Sequence, residues 1–256
     1  MSSTGRETNR QPDDSYQTPR WCVERLLEVW QPRTNVSARP LTLLEPCAGA
    51  GNVIQVVSEV LGAVPGVRPV WDAVEINPDY FQTLQSMHEV RQAGCMDFLE
   101  ATAHAEYDAA ITNPPYSLAM PFITKCLQVC HEAAFLLRLG FLASADRNEF
   151  MRDHTPDVYV LPNRPRYDPS IRRKKPSKEF PEGELYRSSA DSADYAWMVF
   201  RGEVCPRIEP RHPRMRVLKT TPADVRLAEF KAACERWDTA HLDIVREFNR
   251  QRGIQA

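Results

Sequence analysis

The sequence predicts an α/β fold: a mainly parallel sheet with helices on both faces, ended by an antiparallel hairpin. Two observations carry this. Short apolar runs alternate with stretches of helical periodicity from residue 41 to about residue 161, the pattern of a parallel sheet whose crossovers are helices. The second is a glycine turn, Pro46-Cys-Ala-Gly-Ala-Gly51, placed between the first run and the first helical stretch. In such sheets ligands sit beyond the carboxyl ends of the strands, so residues at those ends are the ones to inspect.

Taken in order, 41–45 reads as a buried strand and 53–61 as a helix, then 67–75 as the second strand. Asn77-Pro78 is a helix start, because proline at the first helical position gives up no needed N–H; helical spacing follows over 80–88. Residues 90–95 form a weaker strand and 107–112 a stronger one. Residues 119–132 have helical spacing, 133–139 strand character, 145–154 helical spacing again, and 158–161 a further strand. Residues 162–192 are rich in Pro, Arg, Lys and Ser and read as a long mobile loop, a length that is usually functional or disordered. Residues 194–201 return as a strand, pairing beside the 158–161 strand as a hairpin with that loop at its tip. An amphipathic helix covers 221–251. The division expected is a disordered leader over 1–14, a main domain over 15–201 with the basic loop 162–192 inserted, and a basic stretch with a helical appendage over 202–256.

Composition sets bounds. The 256 residues are 43% hydrophobic and 26% charged, ordinary for a globular domain. No stretch approaches the roughly 18–20 apolar residues of a membrane span, and the polar N-terminus lacks a secretory core. Seven cysteines without paired spacing fit a reducing cytoplasm. The net charge of −2 hides an asymmetry. Between 162 and 187 there are eight basic residues against four acidic, and between 201 and 219 six against two. A local basic stripe suits a phosphate backbone, although a solvated loop has the same composition.

The residues that carry chemistry lie at strand ends. Asn113-Pro114-Pro115-Tyr116 follows the 107–112 strand. An exocyclic amine on a conjugated ring or amide is a poor nucleophile because its lone pair is delocalised. The Asn113 side-chain carbonyl and the Pro114 main-chain carbonyl could each accept one of its hydrogens, and Tyr116 could stack on the ring. The two prolines fix the backbone and remove competing N–H donors. Asn-Pro alone is also an ordinary turn opener. Gly49 and Gly51 permit a tight turn close to a ligand. The turn lacks the third glycine of a dinucleotide site and has no phosphate-loop lysine, which points to a ligand without a pyrophosphate. Glu75 follows Gly51 by 24 residues, near the ~20-residue offset at which an acid meets ribose hydroxyls. Asp97-Phe98 ends the third strand, where a carboxylate could accept from an adenine amine and a ring could pack on it.

Together these residues resemble a family: S-adenosylmethionine-dependent DNA adenine-N6 methyltransferases, of the compact bacteriophage and prophage kind with gamma-like motif order. The resemblance covers about residues 16–200 and implies a Rossmann-like methyltransferase fold. It implies that Thr18 and Pro19, in the segment Tyr16-Gln-Thr-Pro-Arg-Trp21, help hold the methionine end of the cofactor. Glu45, Cys47, Ala48, Gly49 and Gly51 match its methionine-binding glycine motif. Glu75 and Ile76 match its ribose motif, and Asp97 and Phe98 its adenine motif. Asn113, Pro114, Pro115 and Tyr116 match the catalytic motif, with Asn113 also beside the cofactor and Tyr116 stacked on a flipped adenine. The implied cofactor is S-adenosylmethionine and the implied partner is duplex DNA. Arg164, Arg166 and Tyr167 loosely match a later motif that packs on the target base. Arg172, Arg173, Lys174 and Lys175 would contact phosphates. No large C-terminal recognition domain is visible.

Other features read more plainly. Cys47 is a small filler within the turn rather than a nucleophile. Cys126, Cys130 and His131 lie on one helical stretch and read as packing rather than a metal site. Trp71, Trp197 and Phe200 read as core, and Trp21 as core or platform. Two further function classes stay open. Glutamine methyltransferases of the release-factor type share the NPPY pattern, but only about 40 residues precede the first strand, short for their substrate domain; RNA methylation is a related variant. A non-catalytic partner subunit of the same fold would carry degraded motifs, and these are intact.

Overall fold

The computed structural model describes residues 17–32, 39–102, 106–167, 171–187, 193–202 and 213–254. The leader expected over 1–14 and most of the basic stretch after 202 lie outside them. A first helix, α1 (Arg20–Leu27), precedes the sheet. Then come β1 (Leu41–Glu45), α2 (Asn52–Gly62), β2 (Pro69–Glu75), α3 (Pro78–Gln85) and β3 (Val90–Cys95). They are followed by β4 (Tyr107–Thr112), α4 (Ala119–Val129), β5 (Cys130–Arg138), α5 (Asn148–Asp153) and β6 (Asp157–Val160). The chain continues through β7 (Ile171–Arg173), β8 (Leu185–Arg187), β9 (Tyr195–Arg201), β10 (Met215–Val217), α6 (Ala223–Ala240) and α7 (Leu242–Gln251).

Among the described residues, eight strands form one sheet in the order β10-β6-β9-β5-β4-β1-β2-β3, while β7 and β8 pair separately. Within that sheet, among the described residues, only β9 runs antiparallel to its neighbours, lying between β5 and β6 with Val158 opposite Met198. The expected terminal hairpin is therefore present, with a parallel strand, β10, added outside β6. The order reverses between β1 and β4, which places the carboxyl ends of β1, β2, β4 and β5 around one crevice.

Successive residues of each central strand face opposite sides of the sheet, and the two sides bury separate cores. Leu43, Ala109, Leu136 and Trp197 pack with α1 and α2. Leu44, Ala110, Phe135, Met198 and Phe200 pack with α4. Trp71 and Trp197 are fully buried, and their indole N–H groups are satisfied by Ser58 Oγ at 2.9 Å and the Cys22 carbonyl at 2.8 Å. Trp21 is also core, at 3% exposure. Cys126 and Cys130 are buried, and His131 pairs with Glu106.

Four expectations need correction. Residues 162–192 are not a featureless loop, because β7 and β8 form an antiparallel hairpin with Arg173 opposite Leu185. Leu185 packs with Phe248 of α7, which anchors the hairpin although each strand has only three residues. The helix expected over 119–132 stops at Val129, and β5 begins at the next residue. The helix expected over 221–251 is two helices that break at His241. α1 is not among the expected helices at all. Its apolar residues Trp21, Cys22, Leu26 and Leu27 seat it on α2.

Candidate active site

The crevice holds a cavity of about 380 Å³, within the range of small-molecule sites. It is built from strand ends. β1 ends on Glu45, and the following turn brings Cys47, Ala48 and Gly49 to the cavity wall. Gly49 has φ 52°, in the left-handed region that favours glycine. Its N–H donates to Glu75 Oε2 at 2.6 Å, while Glu75 Oε1 accepts from Asn77 N–H at 2.8 Å. Glu75 thus ties the glycine turn to the start of α3, whose cap is the Asn77 side chain accepting from Asp79 N–H at 2.8 Å.

The third wall carries Ile76, Asp97 and Phe98. Asp97 Oδ1 accepts from Leu99 N–H at 2.8 Å and caps the turn that follows. Phe98 packs at 5.3 Å on Phe122 of α4. Lys125 gathers the carbonyls of Phe98, Leu99 and Ala101, so an ammonium from α4 fixes this loop. No sequence signal points to Lys125.

β4 delivers Asn113, Pro114, Pro115 and Tyr116 to the same cavity, followed by a single helical turn over Tyr116–Leu118. The Tyr116 phenol donates to Asn113 Oδ1 at 3.1 Å. Its ring lies 5.7 Å from the Tyr195 ring, tilted by 47°, and the Arg138 guanidinium stands 5.0 Å above it. Burial pushes the Tyr116 phenol well above its usual range and keeps it a donor.

Glu45 is 1% exposed, and its Oε2 has no hydrogen-bond partner among the described residues. Burial raises its carboxyl well above the carboxylate range, against a Thr112 hydrogen bond that lowers it, and the nearby Glu75 charge raises it further. Cys47 Sγ lies 2.9 Å from Thr112 Oγ1. Desolvation and then Glu45 hold its thiol protonated, which suits packing rather than nucleophilic attack.

Of the residues expected at a cofactor site, Thr18, Glu45, Cys47, Ala48, Gly49, Glu75, Ile76, Asp97, Phe98 and Asn113 all line this cavity. Pro19 and Gly51 do not. Pro19 is the residue before α1, and its carbonyl accepts from Cys22 N–H at 3.0 Å. Gly51, with φ 84°, turns the chain into α2, and a Cβ there would meet Met87 Sδ at 2.5 Å. Its freedom serves packing against the end of α3 rather than a ligand. Gln17, Asn52 and Arg138 also line the cavity and are additions to the expected set; Arg138 carries no motif and reaches the site only because β5 lies beside β4.

The residues expected to meet DNA are elsewhere. Arg164 pairs with Asp194 at 2.9 Å, and Arg166 stands 5.2 Å over the Phe230 ring of α6. Tyr167 is buried at 9% exposure, edge-on to Tyr195 at 5.6 Å, so it supports the ring beside Tyr116. Arg172, Arg173, Lys174 and Lys175 are exposed on the hairpin. Arg173 donates to the Glu182 carbonyl at 2.7 Å and Lys174 pairs with Glu184 at 2.6 Å. Part of the basic charge is therefore neutralised inside the hairpin.

The acidic and basic groups on the cavity wall are three carboxyl groups, of Glu45, Glu75 and Asp97, and one guanidinium, of Arg138. That set disfavours a pyrophosphate and favours a ligand with cationic and hydroxyl groups. It therefore fits S-adenosylmethionine, which carries an ammonium, a sulfonium and ribose hydroxyls.

No protein-family model matches the chain, and no curated protein matches it. Among solved structures it is similar to a protein of Listeria monocytogenes described as a class I S-adenosylmethionine-dependent methyltransferase, with a TM-score of 0.52 and 12% identity over 85% of this chain and 68% of that one. It is similar to the methyltransferase subunit of a type I restriction-modification system from Streptococcus thermophilus, at TM-score 0.50 and 13% identity, over 85% of this chain and 53% of that one. A modification subunit of a type I restriction enzyme from Vibrio vulnificus YJ016 gives TM-score 0.50 and 16% identity, over 89% and 54%. The chain spans about half the length of those two subunits. At such identities the likeness concerns the fold, and that fold is the one of class I S-adenosylmethionine-dependent methyltransferases.

Proposed function

We propose that this chain transfers a methyl group from S-adenosylmethionine to the exocyclic N6 amine of adenine in DNA. The observation that carries the reading is the shared cavity. Asn113 and Tyr116 line the same 380 Å³ space as Glu45, Glu75 and Asp97, so an amine held by the first group would lie against a ligand held by the second.

Bound S-adenosylmethionine would supply an electrophilic methyl on a sulfonium. The residues of the chain do the rest. Glu45 meets the ammonium with its unpartnered oxygen, and Glu75, with one lone pair left on each oxygen, receives ribose hydroxyls. Asp97 and Phe98 hold the adenine end. Asn113 Oδ1 has two lone pairs; Tyr116 uses one, and the amine hydrogen takes the other. That bond localises the amine lone pair and aims it at the methyl, so positioning carries most of the rate. An adenine in duplex DNA must leave the stack, at a cost of a few kcal/mol, of which aromatic stacking returns about 1–3 kcal/mol.

The test is transfer of a radiolabelled methyl group from S-adenosylmethionine to purified DNA, RNA and protein fractions in parallel. Label in DNA supports the reading. Label in protein or RNA alone overturns it and transfers the same pocket to a glutamine amide or an RNA base.

A further inference from the structure

The turn that carries Asp97 and Phe98 is held from outside the cavity. Asp97 Oδ1 accepts from Leu99 N–H at 2.8 Å, and the Asp97 carbonyl accepts from the N–H groups of Glu100 and Ala101, each at 3.1 Å. The start of the turn is tied to β2, because Met96 N–H donates to the Glu75 carbonyl at 3.1 Å. The last carbonyls of a helical turn lack partners within it, and here Lys125 of α4 supplies them. Its Nζ donates to the carbonyls of Phe98, Leu99 and Ala101, the second at 2.9 Å. An ammonium has three donors, so these bonds use all of them. The same Nζ stands 4.9 Å from the centre of the Phe98 ring. Phe122, three residues before Lys125 and so its neighbour on one face of α4, meets that ring at 5.3 Å. Phe122 lines the cavity and Lys125 does not.

We propose that Lys125 is a positioning residue for base specificity: through this turn it holds the Asp97 carboxylate where it accepts from a 6-amino purine and rejects a 6-keto one. This rests on the reading of Asp97 and Phe98 as the adenine end of the cofactor site, and extends it to a residue that touches no ligand. With Oδ1 engaged by Leu99 N–H, Oδ2 is the oxygen that meets the base. An amine donates to it, whereas a keto group presents lone pairs to a carboxylate and leaves it unpaired. That discrimination depends on the carboxylate staying in one orientation, and the orientation depends on Leu99 N–H staying where the turn puts it. Without the ammonium, three carbonyls lose their partner at once and must turn toward water. The turn then relaxes, Leu99 N–H leaves Asp97 Oδ1, and the carboxylate rotates freely. The Phe98 ring, which packs on either base alike, keeps Phe122 as its support. Loss of Lys125 therefore falls on the choice between bases more than on stacking.

The experiment measures, by calorimetry, the affinity of each protein for S-adenosylhomocysteine and for S-inosylhomocysteine, the same molecule with a 6-keto group in place of the amine. The ratio of the two affinities is the readout, because a general loss of stability lowers both and leaves the ratio alone. The wild type should prefer the adenine form by about ten- to a hundredfold, the worth of a hydrogen bond to a charged group. Lys125→Met keeps the apolar stem and loses the ammonium. It should bind the adenine form several-fold more weakly and the hypoxanthine form nearly as before, so that the preference collapses. Lys125→Arg keeps the cation, but its planar fork does not match three converging carbonyls, so an intermediate preference is expected. Should Lys125→Met fail to fold, Lys125→Arg decides alone. A wild-type ratio in a variant that binds both ligands overturns the assignment of Lys125 and leaves Asp97 as the adenine acceptor. A wild type that binds both ligands equally overturns the Asp97 reading and this inference with it.

Discussion

The Tyr116 phenol donates to the side-chain carbonyl of Asn113 at 3.1 Å, so two residues of one tetrapeptide fix each other before any substrate arrives. The bond orients the Asn113 amide and leaves a lone pair on its oxygen. It also fixes the Tyr116 ring beside Arg138 and Tyr195.

Tyr116→Phe keeps the ring and removes this bond. A net hydrogen bond is worth about 1 kcal/mol, so kcat should fall roughly fivefold while S-adenosylmethionine affinity holds. Tyr116→Ala, which also loses the stacking surface, should fall much further. Equal losses in the two variants would show that only the hydroxyl matters and that the ring contributes nothing.

Glu45→Gln separates stability from binding. Burial raises the Glu45 carboxyl in the folded chain, so its neutral form contributes stability in full below the unfolded value of about 4.3. That contribution is lost as pH rises through the raised folded value. The ligand-free variant should therefore melt higher than the wild type at pH 8, with the difference closing toward pH 4, while its affinity for S-adenosylmethionine drops. A melting difference independent of pH would contradict the buried-acid account.

Asp108 has the opposite sign. Its burial raises the carboxyl, but bonds from Arg39, at 2.8 and 2.6 Å, and from Thr42 N–H, at 2.8 Å, outweigh that and lower it. The stability it supplies is present above the unfolded carboxylate range and lost as pH falls through the lowered value. Arg39 is half-exposed, which weakens the pair, so Asp108→Asn should cost about 1–2 kcal/mol near neutrality and flatten acid denaturation. Chemical denaturation at pH 7 and pH 3 checks both.

The sheet and the site are readable from the chain to different depths. Strand ends are legible because apolar runs stop where carboxylates and Asn113 begin, and α3 because Asn77-Pro78 is a local start signal. The end of α4 is not, since no glycine or proline marks the passage from Val129 to Cys130. The break at His241 lacks one too. The β7–β8 hairpin escapes because its strands are short and basic, and its support, Leu185 on Phe248, joins residues far apart in sequence. Arg138 and Lys125 escape for the same reason: each reaches the site through packing of neighbouring elements.

Excising residues 170–187 would expose Phe248 and confound a binding test. Replacing Arg172, Lys174 and Lys175 by alanine leaves Leu185 seated. If the hairpin binds phosphates, duplex affinity should fall and the salt slope should drop by up to about 0.9 for each phosphate no longer neutralised. Retained affinity and slope in fluorescence anisotropy would assign the hairpin to a solvated surface.

The most direct measurement treats DNA from a methylation-deficient host with purified protein and S-adenosylmethionine, digests it to nucleosides and scores N6-methyladenine by mass spectrometry. The account predicts N6-methyladenine with the wild type and none with Asn113→Ala, although that variant still binds S-adenosylmethionine. Methylated adenine at comparable levels in Asn113→Ala, or none from a wild type that binds S-adenosylmethionine, would contradict it.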